Sequence, residues 1–120
     1  HAINLQPDLL EAYHYRGIVR YGMKDLDGAL ADYNKAISLG LKSSAVYFNR
    51  GVIFHQKGQL SDAIESYSRS IEIDPSNARA YYNRAISKLV IDNYKEALQD
   101  LEISKRLGYS KAAEVISQYY

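Results

Sequence analysis

Glu11 and His14 stand three residues apart, the spacing at which a helix brings a carboxylate and an imidazole to one face and offers a metal two ligands. Nothing else of ligand type joins them, and His55 has no partner at helical spacing. The chain carries no glycine-rich phosphate loop, no nucleophile elbow and no paired carboxylates. No catalytic centre, metal or cofactor is therefore expected. What the residue types do suit is non-covalent recognition. The amides of Asn49 and Asn83 each present a donor and an acceptor, which is what a peptide backbone presents in return. Tyr15, Phe48, Tyr82 and the guanidinium of Arg79 are flat groups that stack, and Ile18, Val52 and Ile86 are aliphatic.

The totals narrow the partner. Fifteen basic residues against fourteen acidic ones leave a net charge of +1 over 120 residues, so no strong field gathers nucleic acid or an anionic membrane. Tyr15, Phe48, Tyr82 and Arg79 could stack on bases, but readers of that kind also supply an electropositive groove, so an RNA-binding role stands as an alternative only. No apolar run is long enough to span a bilayer, and membrane insertion is not expected. The absence of cysteine excludes disulfides and thiolate zinc sites. With 47% hydrophobic residues the chain suits one domain with a core of its own.

These residues are positioned by a repeat. Gly17, Gly51 and Ala85 lie 34 apart, as do Ala29, Ala63 and Ala97, and Tyr13, Tyr47 and Tyr81. A fixed period of this length marks a stacked array of helix pairs. Between Ser44 and Asn77, Tyr47, Gly51 and Phe54 share one face of a first helix, and Ala63, Tyr67 and Ser70 one face of a second. The small residues let the backbones approach while the aromatic ones fill the surrounding space. Lys57-Gly58-Gln59 is the expected turn, and Asp74-Pro75 the stop. In the preceding copy Asp25 is the expected N-cap of the second helix and Gly40 its stop.

On these residues the chain resembles the tetratricopeptide repeat (TPR) family. The resemblance implies an all-α, right-handed helical-repeat solenoid of antiparallel helix pairs. Residues 1–9 read as the tail of a preceding repeat, 10–43, 44–77 and 78–111 as three complete repeats, and 112–120 as a C-terminal capping helix with Val115 and Ile116 inward. Arg20 and Lys88 stand where Phe54 stands, and their stems are expected to cover apolar surface with the heads in water. Six tyrosines, Tyr13, Tyr33, Tyr47, Tyr67, Tyr81 and Tyr94, are assigned to packing.

In the family, first helices line a concave groove that holds a peptide. Carried over position by position, the groove set is Glu11, His14, Tyr15 and Ile18 in the first repeat. Phe48, Asn49 and Val52 follow in the second, and Arg79, Tyr82, Asn83 and Ile86 in the third; Tyr21, Gly22, Ala45, His55, Gln56, Leu89 and Val90 fill the remaining places of the same stripe beside these eleven. The implied function is a non-catalytic scaffold for a peptide segment of a protein partner. Asn49 and Arg79 also fall on places of the family's carboxylate clamp, but His14, Ile18 and Asn83 replace its other members, so the cations that would hold a terminal carboxylate are too few. Arg16, Arg50 and Arg84 precede the small residue of each repeat. Arg16 and Arg84 are expected to pair with Asp32 and Asp100 on the facing helix, while Ser66 leaves Arg50 another partner. Self-association as a homo-oligomer through an open N-terminal edge is the remaining alternative.

Overall fold

The computed structural model describes the backbone of residues 2–119 and the side chains of residues 9–118. Over the described residues the chain is seven helices: α1 (Ala2–Gly22), α2 (Leu26–Ser38), α3 (Ser44–Gln56), α4 (Leu60–Ile73), α5 (Ala78–Val90), α6 (Tyr94–Arg106) and α7 (Ser110–Tyr119). They pack as successive pairs, α1 on α2, α3 on α4 and α5 on α6, with α7 closing against α6. The result is an all-α helical-repeat solenoid.

Local chemistry sets the boundaries. Asp25, Ser43 and Asn77 each accept the backbone N–H three residues on, at 3.0, 3.3 and 3.2 Å, and so cap α2, α3 and α5. The turn inside each pair puts one residue at positive φ: Lys24 at 65°, Gly58 at 77° and Asp92 at 64°, again 34 apart. Gly40, at φ 109°, follows α2, whereas α4 stops at Asp74 ahead of the proline.

Pairing within a repeat rests on a glycine facing a tyrosine. A Cβ built on Gly51 would lie 2.5 Å from Tyr67 Cε1, and one on Gly17 would lie 2.8 Å from Tyr33 Cε1. In the third repeat the same two places hold Ala85 and Leu101, both buried. A smaller partner makes room for the extra methyl, so both versions fill the gap at close-packed density.

The arginines bind helix to helix as expected. Arg16 donates to both Asp32 oxygens at 3.0 and 2.8 Å, and Arg84 to both Asp100 oxygens at 2.8 and 2.7 Å. Arg50 instead reaches Ser66 Oγ at 3.0 Å. Each guanidinium also sits over the tyrosine three residues before it, at 5.4, 5.0 and 5.6 Å in turn.

Three details depart from the sequence reading. Lys88 does not send its head to water: it is buried, with Nζ 2.9 Å from Asp100 and 3.4 Å from Glu96, and Arg20 likewise lies 3.4 Å from Asp32. A buried aspartate draws in every cation its neighbours can supply. Tyr94 is 54% exposed, its hydroxyl donating to Asp92, because it opens α6 at the margin of the pair rather than on its packing face. The segment read as the tail of an earlier repeat is continuous with α1, which runs unbroken from Ala2 past Pro7. At the other end Ile116 and Ala112 are buried, with Val115 packed against the same cluster of Ala85, Ala97 and Leu101.

Candidate functional site: the groove of the first helices

The first helices α1, α3 and α5 carry every residue predicted for the groove. One cavity, of about 280 Å³, is bounded by Val52, His55 and Gln56 from α3, Tyr82, Asn83 and Ile86 from α5, and Tyr67 from α4. A second hollow, of about 260 Å³, is bounded by Ala45, Phe48 and Asn49 from α3 with Asn77 and Arg79 at the start of α5. Phe48 to Val52 and Arg79 to Asn83 are each one helical turn, so the two hollows follow one another along the α3/α5 seam. The structure thus brings together Phe48, Asn49, Val52, Arg79, Tyr82, Asn83 and Ile86. Glu11, His14, Tyr15 and Ile18 line neither hollow: Glu11, Tyr15 and Ile18 are exposed on α1, and the His14 ring stacks on Tyr15 with centroids 5.3 Å apart.

The walls are held from behind. The Arg79 guanidinium lies 5.4 Å over the Phe48 ring, which meets Tyr67 at 5.8 Å. Tyr82 is held edge-on by Tyr109, with centroids 5.0 Å apart. His55 Nδ1 and the buried Ser87 Oγ share a 2.9 Å hydrogen bond, which fixes the imidazole plane beside the larger cavity. Burial pushes the Tyr67 phenol up to about 12, with the Asn83 side chain pulling the other way. Burial also raises Tyr33, opposed by Asn49, although Tyr33 Oη has no hydrogen-bond partner in bonding geometry among the described residues. The floor is therefore neutral at ordinary pH. Of the eleven predicted groove residues, Glu11 and Arg79 are the two with a formal charge.

Aliphatic walls, aromatic faces and a few neutral amides form a surface that takes apolar side chains and meets a backbone with hydrogen bonds. Each hollow lies at or below the small end of ligand pockets, which suits side chains arriving in series rather than one compact molecule. Sequence reasoning missed two lining residues. Tyr67 was assigned wholly to the core, though its ring spans from Gly51 to the cavity. Asn77 is a cap whose amide also lies 3.4 Å from both Ser44 Oγ and Ser70 Oγ, and its cap position before α5 was the available signal.

Among the described residues no three histidine, aspartate or glutamate side chains gather where they could hold a metal, and no helix is long and apolar enough to cross a membrane.

Comparison with known proteins agrees with this fold. The family model for the TPR repeat matches residues 51–88. The Arabidopsis OM64 TPR domain is 25% identical with a TM-score of 0.84, over 95% of this chain and 95% of that one. The first TPR of Spaghetti (RPAP3), bound to the HSP90 peptide SRMEEVD, is 16% identical with a TM-score of 0.84, over 92% and 90%. MamA is 24% identical with a TM-score of 0.79, covering 87% of this chain and 61% of that one. A search of curated proteins by sequence gives no match. The 34-residue ladders, the paired helices, the TPR-repeat model over residues 51–88 and the whole-chain likeness to solved TPR domains coincide: the chain carries a match to the TPR repeat and has the fold of TPR domains.

Proposed function

We propose that this chain is a non-catalytic protein-interaction module that holds an extended peptide segment of a partner protein against the α3/α5 seam. The observation that carries the reading is the pair of adjoining hollows, the larger mainly apolar around Val52, Tyr82 and Ile86 and the smaller edged by Phe48, Arg79 and the amides of Asn49 and Asn77. Solved relatives of the same fold hold peptides, the first and second TPRs of Spaghetti among them. Val52, Ile86 and Tyr82 would bury side chains of the ligand, and Asn49 and Asn83 would meet its backbone. Arg79 would select charge at one end of the seam.

Selection of a displayed peptide library on the immobilised chain tests this. The expected result is an enriched apolar consensus whose binding falls at least tenfold in a folded Asn49→Ala, Asn83→Ala double variant, two backbone hydrogen bonds being lost. No enrichment, or enrichment indifferent to both this variant and Ile86→Glu, would refute the groove as the binding element.

A further inference from the structure

Ser87 is a polar residue in an apolar place. One repeat earlier the position holds Ile53 and two repeats earlier Val19, yet Ser87 is as fully buried as Ile53, both at 0% exposure. Ser38 and Ser68 turn back to a carbonyl of their own helix, at 2.7 and 2.8 Å. Ser87 does not. Among the described residues its Oγ has one hydrogen-bond partner, His55 Nδ1, reached across the seam from α5 to α3 at 2.9 Å.

That bond decides where the imidazole carries its proton. A hydroxyl has one proton to give. If Nδ1–H donated to Ser87 Oγ, the hydroxyl proton would be buried without an acceptor, and an unmade buried bond costs more than the made one returns. Ser87 is therefore the donor and Nδ1 the acceptor, so the neutral ring holds its proton on Nε2. Nε2 itself is unbonded. Among the described residues Tyr33 Oη is the one buried side-chain polar atom without a partner, so Nε2 is open to solvent. His55 lines the larger cavity with Val52, Gln56, Tyr67, Tyr82, Asn83 and Ile86, none of which carries a formal charge.

On the reading that the seam holds a peptide, we infer that His55 is a specificity-determining donor of the larger cavity, and that its Nε2–H takes a carbonyl oxygen of the bound segment. A carboxylate is a poorer fit, because it gives up its hydration with no cation in the lining to replace it. A lysine or arginine head is poorer still at this place, a donor meeting a donor. A carbonyl is neutral, accepts, and arrives beside apolar groups that Val52, Tyr82 and Ile86 can cover. It belongs either to the main chain or to the side-chain amide of an asparagine or glutamine.

Two measurements on the full chain test this. A long-range proton–nitrogen correlation spectrum of the free protein, taken above the ordinary imidazole value, should show His55 with a bare Nδ1 and a protonated Nε2; a protonated Nδ1 overturns the inference. The second titrates the synthesised consensus peptide from the displayed library against variants that keep the helical spectrum of the parent. A glutamine amide nitrogen reaches the place of Nε2 and an asparagine amide nitrogen that of Nδ1, so His55→Gln keeps the donor to the peptide while His55→Asn keeps only a partner for Ser87. Binding within about twofold of the parent is expected for His55→Gln, and about tenfold weaker binding for His55→Asn. The reverse order makes His55 a structural partner of Ser87 and overturns the inference, as does equal binding by both. Replacing each peptide bond of the ligand in turn by an alkene, or its asparagine and glutamine residues by leucine, should erase the difference between the two variants at one position, which identifies the carbonyl as main-chain or side-chain; no such position overturns the inference too. A peptide lost with Ile86→Glu yet indifferent to His55→Asn leaves the seam reading standing and refutes this one, whereas failure to enrich any peptide refutes both.

Discussion

Gly51→Ala tests whether the glycine and tyrosine really set the spacing of α3 and α4. In an exposed helix this exchange gains about 1 kcal/mol from the lower backbone entropy of alanine. Here the new methyl would stand 2.5, 2.7 and 2.9 Å from Tyr67 Cε1, Cδ1 and Cζ, well inside van der Waals contact. The ring has little room to retreat, being 1% exposed with Phe48 packed against it. Overpacking of this kind costs about 3 kcal/mol at the upper end. The net loss is then about 2 kcal/mol, or roughly 8 °C in melting temperature for a chain of this size. The third repeat supplies the rescue, because Ala85 faces Leu101 there. In a Tyr67→Leu background Gly51→Ala should cost nothing or stabilise, giving a coupling of at least about 1.5 kcal/mol in a double-mutant cycle followed by urea unfolding. A Gly51→Ala protein that melts at or above the parent would refute the argument, as would a penalty undiminished by Tyr67→Leu.

Three other outcomes follow from the fold. Arg84→Gln leaves the buried Asp100 with Lys88 alone and should cost about 2 to 3 kcal/mol in urea unfolding; Arg50→Gln strands the neutral Ser66, while the exposed Glu65 keeps Arg69, and should cost about 1 kcal/mol. Raising the pH from 10 to 12 should lower stability by about 2 kcal/mol: the unfolded chain releases the Tyr67 proton near the ordinary value of 10 while the folded chain holds it to about 12, so stability is full below pH 10 and is lost across that window. Tyr67→Phe should flatten that slope in thermal melts, with Tyr33 supplying what remains. Lys24→Gly relieves a side chain held at φ 65° and should raise the melting temperature by several degrees, since a non-glycine residue there costs about 1 kcal/mol.

The register was legible because it is written in small residues. Gly17, Gly51 and the three alanines at 29, 63 and 97 cannot be exchanged freely, so their spacing gives the helix pairs, the caps at Asp25 and the stop at Asp74. The Arg16 and Arg84 pairs were legible for the same reason: an acid and a base on facing helices at matching places. Lys88 was misread because a long stem is compatible with either water or a buried acid, and only the fold shows that Asp100 already lies within reach. Tyr94 was misread because its aromatic character said nothing about which side of α6 it faced. For the groove, the stripe on each first helix was readable. Which of its members converge was not, since convergence depends on how α5 sits beside α3, and the α1 members fall outside both hollows. Tyr67 shows the limit most plainly, a packing residue by spacing whose far edge lines the cavity.

The arginine ladder also governs how the molecule comes apart. Arg50 holds α2 through Asn34 and α4 through Ser66 and Glu65, and Arg84 holds α4 through Ser68 and α6 through Asp100. Each therefore ties its own helix pair to the pair before it, and opening one pair loosens the next. Arg16 ties only inward. Amide hydrogens of α1 should exchange with solvent soonest and those of α3 and α4, gripped from both sides, last, so that protection rises towards the middle of the array instead of following the intrinsic helix propensity of each segment.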